Sequence, residues 1–190
     1  MHVFYPNIDR RRIPVLAGVT VAGALVAGLY GAIHDQVTYS LGPEYFTKLK
    51  FYQFHGADFG FPPRVFVSEI GFLASWWVGL IAGWLVARMV VEAGSSAELI
   101  RRAATAFGII FVAAGVTAAG AGIFARCRQS HVEDPLWREV AQQLHVTDPG
   151  AFFTVAFIHE GSYLGGAVGT LVALVYLWRM RGASGNTRAQ

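Results

Sequence analysis

Two adjacent ionisable residues, His159 and Glu160, interrupt the long apolar run from Phe152 to Trp178. A charged side chain at the centre of a membrane-spanning helix costs roughly 2.5–3.5 kcal/mol on insertion scales, so it is expected to have a partner or a function. Imidazole and carboxylate groups bind transition metals and transfer protons. This pair is therefore the starting point for a functional site.

Other ionisable residues are expected near the same end of the predicted helices. At about 1.5 Å per residue, Glu69 lies about 6 Å into the second apolar segment and His159 about 11 Å into the fourth. His34 and Asp35 follow the first apolar segment, and His131 lies in the loop after the third. Glu160 lies one residue deeper than His159, so Glu69, His34, Asp35, His159 and Glu160 are all predicted in one half of the bundle, and His131 can reach the same end from its loop.

Helical rotation separates the two members of the starting pair. Successive residues are about 100° apart, so His159 shares a face with Tyr163 while Glu160 points elsewhere. Tyr163 is therefore a supporting residue. The candidate metal ligands are His159, Glu69, His34, Asp35, Glu160 and His131.

Histidine nitrogen combined with carboxylate oxygen favours a transition metal such as zinc, copper or iron. Haem with His34 and His159 as axial ligands is less favoured, because the two residues differ in predicted depth and no Cys-x-x-Cys-His motif is present. The Glu-x-x-His signature of iron-binding bundles is also absent. The predicted cofactor is a metal ion, with haem as the weaker alternative.

Two other uses of these residues stay open. Buried His and Glu residues form proton relays in transporters, but the other half of the bundle offers hydroxyls such as Thr20 and Thr170 and the single guanidinium of Arg88. Alternatively, the residues only hydrogen-bond across helices in a structural or assembly subunit, where each contact contributes about 0.6 kcal/mol. The sequence does not decide whether the protein is an enzyme.

Composition indicates a membrane protein, since 54% of the residues are hydrophobic and 14% are charged, against about 25% charged residues in soluble domains. Crossing roughly 30 Å of hydrocarbon takes about 20 helical residues. Four segments are long enough, at 13–33, 65–91, 103–125 and 152–178. The predicted fold is a single all-α domain, an integral membrane four-helix bundle within the lipid bilayer.

The first segment also has features of a secretory signal, because Arg10, Arg11 and Arg12 precede it and Ala22-Gly23-Ala24 fits a cleavage site. Its apolar run continues to Ile33, beyond what a signal requires, so a span is favoured. Short-loop Lys and Arg residues number nine on the side of the N-terminus and six on the other. The positive-inside rule therefore predicts that both termini are cytoplasmic.

The two extracytoplasmic loops, 34–64 and 126–151, are predicted to contain short interfacial helices. The first loop is rich in aromatic residues, which favour the headgroup layer, and Pro43-Glu44 suits a first helical turn. In the second loop, Asp134-Pro135 suits a helix start, and Leu136, Trp137, Val140, Ala141 and Leu144 recur at helical spacing.

Small residues at intervals of four predict close helix packing. The second segment carries Gly71, Ser75, Gly79, Gly83 and Ala87, and the fourth carries Gly161, Gly165, Gly169 and Ala173. In the third segment, glycines recur every seven residues at Gly108, Gly115 and Gly122. These stripes suit packing within the chain or an interface of a homo-oligomer or a larger membrane complex.

Neither nucleic-acid binding nor dithiol chemistry is expected. The basic residues are mostly arginines at helix ends, without a basic surface interleaved with aromatic residues. Cys127 is the only cysteine in the sequence, so one chain cannot form a disulfide or a site with several thiolates.

The segment from His34 to Thr47, His-Asp-Gln-Val-Thr-Tyr-Ser-Leu-Gly-Pro-Glu-Tyr-Phe-Thr, resembles part of an uncharacterised family of small bacterial polytopic membrane proteins. Some members also carry the Trp-Trp-Val-Gly pattern of residues 76–79. The resemblance covers about a third of the chain. It implies a bacterial inner membrane protein and no particular activity or functional residue.

Overall fold

The computed structural model describes residues 9–93, 95–128 and 135–186, and every element in these ranges is helical. After a 3-10 turn at Arg10–Arg12, the helices are α1 (Ile13–Leu41), α2 (Tyr45–Lys50 with π-type hydrogen bonds, continued by Phe51–Gln53), α3 (Pro63–Val90), α4 (Ser96–Cys127), α5 (Pro135–Gln143) and α6 (Pro149–Asn186). The all-α prediction is confirmed.

Helices α1, α3, α4 and α6 are each long and apolar enough to cross a membrane. Helix α1 is longer than predicted, since it continues from Ile33 to Leu41 and is capped by Gly42, directly before Pro43. Gln36 is accommodated inside this last part because its amide donates to the backbone oxygen of Arg64 and to Ser68 on α3. His34 and Asp35 therefore lie within a helix and not in a loop.

Glycines bring α1 and α3 into backbone contact. A Cβ atom built on Gly23 would lie 2.7 Å from the oxygen of Gly79 and 2.7 Å from the Cα of Gly83. Gly31 and Gly71 approach each other's backbones even more closely. The small-residue stripe predicted on the second span thus packs within the chain, against glycines of the first span.

Helices α4 and α6 form a second close pair. A Cβ atom on Gly161 would lie 2.7 Å from the oxygen of Thr117, and one on Gly169 would lie 2.9 Å from the Cα of Ile110. Of the glycine repeat predicted on the third span, Gly122 packs against Ile158 of α6, whereas Gly108 and Gly115 have no atoms within 4 Å of a built Cβ and so do not take part in packing among the described residues. Alanines of α4 occupy this contact instead, because a methyl group still allows close approach.

The two helix pairs meet where α3 contacts α6 and α4 and where α1 contacts α6. Each end of the bundle has its own apolar cluster. At the end where α1 begins, Val86, Val90 and Leu177 are almost fully buried. At the opposite end, α2 and α5 lie against the start of α6, where Phe46 and Phe153 are fully buried. The candidate site lies beneath this second cluster.

Candidate metal centre

One face of α1 carries both buried glycines and buried polar residues. Its buried positions include Gly28, Gly31, Asp35 and Thr38, which alternate at intervals of three and four and so share one side of the helix. Gly31 packs against the backbone of Gly71 and Gly28 against the ring of Phe72. The same face places the carboxylate of Asp35 inside the bundle, with 4% of the residue exposed.

Helix α6 supplies His159 from the second helix pair. Its Nε2 lies 3.2 Å from the hydroxyl oxygen of Thr38 and 3.7 Å from Oδ1 of Asp35, and 8% of the residue is exposed. The Thr38 hydroxyl donates to the backbone oxygens of His34 and Asp35, so it accepts a hydrogen bond from His159. The two helix pairs are thereby joined through polar side chains.

His34, Asp35 and His159 each offer one ligand atom, and these three atoms lie within 4.8 Å of one another. Nitrogen and oxygen ligands at about 2.0–2.2 Å from a tetrahedral ion are separated by about 3.4 Å. Side-chain rotations that shorten the longest separation by at most about 1.4 Å therefore bring all three atoms onto one ion. The group contains two imidazoles and one carboxylate.

The two imidazole rings are in direct contact. Their centroids are 5.0 Å apart, with the planes at 81°. Nε2 of His34 is buried and has no hydrogen-bond partner among the described residues. Ring contact leaves no gap for a macrocycle between the histidines, so the arrangement fits a single ion better than a haem held from both faces.

Helix α2 covers the centre. The ring centroids of Tyr45 and His159 are 5.0 Å apart, and those of Phe46 and His159 are 5.9 Å apart. Lys50 Nζ lies 5.5 Å from the Tyr45 ring centroid. Burial raises the pKa of the Tyr45 hydroxyl. Burial also lowers the pKa of the Lys50 amine, and the nearby charge of Asp35 partly offsets this shift.

The carboxylate of Glu44, directly before α2, links this helix to the start of α6. It accepts hydrogen bonds from the backbone N–H groups of Thr147 at 2.9 Å and of Asp148 at 2.7 Å, and from the Thr147 hydroxyl at 3.0 Å. These hydrogen bonds, from Asp148 first and then Thr147, lower the pKa of Glu44. An anionic Glu44 therefore holds the beginning of α2 over His159.

The remaining predicted ligands are placed differently. Glu69 is half-buried on α3, with Oε2 buried and without a hydrogen-bond partner among the described residues, but it is not part of the three-residue group. Glu160 is exposed on α6. Tyr163 is 45% exposed and donates to the backbone oxygen of Ala74 at 3.3 Å. His131 lies outside the described residues.

Sequence reasoning missed the residues that surround the ligands, namely Thr38, Tyr45, Phe46 and Lys50. A signal for Thr38 was present, because Gly28, Gly31, Asp35 and Thr38 follow the three-and-four spacing of one helical face. The other three residues lie on a segment that folds back over the bundle. Their contacts with His159 depend on tertiary structure.

Comparisons of the chain with protein-family models, with curated proteins and with solved structures find no match. The functional argument therefore rests on the geometry of the site.

Proposed function

We propose that this chain is a multi-pass membrane protein that binds one divalent transition metal ion through His34, Asp35 and His159. The observation that carries the proposal is the convergence of three ligand atoms within 4.8 Å, from two separate helix pairs, at largely buried positions. Two imidazoles and one carboxylate leave further coordination positions for water or another ligand.

Membrane insertion is supported by the distribution of apolar surface. In the most apolar 18-residue stretch of each long helix, only 17–33% of residues are buried inside the protein. Large side chains such as Val112, Val116 and Leu171 remain about two-thirds exposed. Apolar surface this extensive needs a lipid environment or another covering. A bilayer also suits helices, whose backbone hydrogen bonds are internal.

The arginine-rich end of the bundle supports one orientation in the membrane. Arg12 donates to the backbone oxygen of Val91 at 3.0 Å, and Arg181 donates to those of Met89 and Arg88 at 2.8 Å. Arginines from three helices thus gather where α1 begins. The positive-inside rule supports placing this end in the cytoplasm of a bacterial inner membrane protein, with the metal on the extracytoplasmic side.

An unpartnered imidazole nitrogen supports a metal over purely structural hydrogen bonding. A buried polar atom without a partner costs about 1–3 kcal/mol. Polar residues that only join helices would be expected to satisfy each other, yet Nε2 of His34 has no hydrogen-bond partner among the described residues. A bound ion would satisfy a nitrogen of this ring.

Packing at the other end of the bundle supports a resident ion over a transport path. Beyond the centre, the described core contains apolar side chains such as Ala82, Val86, Ala106, Ile110 and Leu177. Arg102, which is also buried at this end, is paired with Glu98. A proton relay would need ionisable groups or water along this stretch.

The combination of two imidazole nitrogens with one carboxylate oxygen favours zinc or ferrous iron over calcium and magnesium, which prefer oxygen ligands.

Metal analysis tests the proposal directly. The protein should be purified in mild detergent through a tag without histidine and without chelator, and its metal measured by plasma mass spectrometry. We expect about one ion per chain, and loss of that ion in His159→Ala and in the nearly isosteric Asp35→Asn variant. His55→Ala is the matched control, because His55 is exposed and bonds to the backbone oxygen of Tyr52.

The folded state of each variant is checked by size-exclusion chromatography and circular dichroism. Wild-type protein that holds no ion, and takes up neither zinc nor ferrous iron on titration, would contradict the proposal. The polar residues would then be assigned to helix assembly, as expected for a structural subunit.

A further inference from the structure

A cleft of about 500 Å³ runs along the outside of the bundle between α1 and α4, closed at its base by α6. This volume falls within the roughly 300–1,000 Å³ typical of ligand sites. Its walls are mainly aliphatic, with residues such as Ile33, Val37 and Ala119. His34 and Thr38 also form part of the wall, so the cleft borders the metal centre directly.

The cleft extends for about half the thickness of a bilayer. Its lining on α1 runs from Tyr30 to Leu41, and its lining on α4 runs from Gly115 to Arg126. Each interval spans eleven residues, or about 16 Å at about 1.5 Å per residue. A single leaflet contributes about 15 Å of hydrocarbon. The cleft therefore matches the length of one acyl chain in one leaflet.

Charge distinguishes the two ends of the cleft. Arg126 is exposed in the last turn of α4, at the end where a lipid headgroup would lie. At the other end, Tyr30 bonds to Ser162 inside the bundle and Gly115 leaves the surface open. An anionic headgroup at Arg126 and a hydrocarbon tail toward Gly115 complement this layout.

We propose that the cleft binds one acyl chain of an anionic phospholipid, with its phosphate at Arg126 and its tail beside His34. This inference rests on the proposed membrane insertion but not on the metal. The lipid tail would cover the α4 side of the metal centre, as α2 covers its other side. The centre would then be shielded by hydrocarbon on a face that the described residues leave open.

Glycines on α4 provide a matched pair of variants. A Cβ built on Gly115 or on Gly108 meets no atom within 4 Å, and leucine is a better helix former than glycine, so both substitutions should preserve the fold. Gly115 lines the cleft and Gly108 does not. Gly115→Leu should therefore fill the cleft, while Gly108→Leu adds the same side chain elsewhere on the helix.

The experiment uses full-length protein in phosphatidylcholine vesicles that contain traces of photoactivatable phosphatidylglycerol or phosphatidylcholine with the same acyl chain. We expect phosphatidylglycerol to label cleft peptides of α1 and α4 about fivefold more than phosphatidylcholine. Gly115→Leu should lower this labelling severalfold, Gly108→Leu should not, and Arg126→Gln should abolish the headgroup preference. Equal labelling of wild type and Gly115→Leu, or no headgroup preference in wild type, would overturn the lipid site.

Metal content is measured on the same vesicles, after alkaline extraction has confirmed insertion. A protein that keeps its ion but shows no selective labelling refutes only the lipid site. Selective labelling without metal supports the lipid site and refutes only the metal centre.

Discussion

The imidazole of His34 meets the imidazole of His159 edge to face, with centroids 5.0 Å apart, although the two residues come from helices at opposite ends of the chain. This contact makes the two rings interdependent. Each ring limits the rotations open to the other, and both lie beside the carboxylate of Asp35.

His34→Ala is expected to lower metal affinity as strongly as loss of His159, because it removes one of three ligands. Competition with a chromophoric chelator measures the affinity. Tyr163→Phe should keep the wild-type affinity, since the Tyr163 hydroxyl donates to the backbone of Ala74 and lies outside the ligand group. Equal losses in both variants would argue against the assignment of ligands.

Thr38→Val is expected to raise metal affinity by about 3- to 10-fold. Nε2 of His159 lies 3.2 Å from the Thr38 hydroxyl and 3.7 Å from Oδ1 of Asp35, so it is the nitrogen that faces the proposed ion. An ion on this nitrogen displaces the proton that Nε2 donates to Thr38, and the lost hydrogen bond is worth about 1 kcal/mol. Valine removes this competition, whereas Thr38→Ser retains the hydroxyl and should keep the wild-type affinity. A lower affinity of the valine variant in the chelator assay would contradict this competition.

Lys50→Met is expected to raise metal affinity by about 3- to 10-fold. The half-buried Lys50 amine lies close enough to Asp35 for the carboxylate charge to act on its pKa. A metal ion must compete with that positive charge, whose repulsion is on the order of 1 kcal/mol. Lys48→Met is the matched control, because Lys48 is exposed on the same helix. An unchanged affinity for Lys50→Met would show that the amine does not influence the centre.

Glu44→Gln is expected to lower thermal stability near neutral pH. The pKa of Glu44 is lowered from its ordinary value of 4.5 by hydrogen bonds from Asp148 and Thr147. Its contribution is therefore fully present above about pH 4.5 and is lost as pH falls through the lowered pKa.

Thermal melts in detergent between pH 7 and pH 3 measure this effect. The difference between wild type and Glu44→Gln should shrink toward the acid end. Glu139→Gln should show no such trend, since Glu139 is exposed and accepts a hydrogen bond only from Gln143 among the described contacts. A constant difference across the pH range would refute a role for the Glu44 charge.

Gly31→Ala is expected to destabilise the bundle by about 1–3 kcal/mol, the usual cost of overpacking a core. A methyl group there would collide with the backbone of Gly71, which belongs to a rigid helix. Gly18→Ala on the same helix meets no atom within 4 Å and should not lower the melting temperature. Similar melting temperatures for the two variants would contradict the backbone contact of α1 and α3.

Much of this architecture could be predicted, because a long apolar helix is recognised from one continuous stretch of sequence without knowledge of its tertiary contacts. The four long apolar helices, the helix after Pro135 and the grouping of His34, Asp35 and His159 in one half of the bundle all follow from spacing and depth. The separation of Glu69 from the group could not be predicted in this way. The position of a residue in the sequence gives its level along the helix axis. The direction in which its side chain faces depends on which helices pair.

The continuation of α1 to Leu41 was also missed, and for a related reason. Polar residues such as Gln36 suggest a helix exit when the sequence is considered alone. In the structure, Gln36 is bonded to Arg64 and Ser68 on α3, so the helix remains favourable beyond the apolar run. Likewise, only folding of α2 over His159 brings Tyr45 and Phe46 to the centre.

The close pairing of α1 with α3 and of α4 with α6 has a thermodynamic consequence. His34 and Asp35 belong to one pair and His159 to the other, so an ion that binds all three must bind the docked state more tightly than the separated pairs. By linkage, that difference in affinity adds directly to the free energy of docking. Two fragments, 1–93 and 95–190, expressed together should therefore associate more tightly as free zinc is raised.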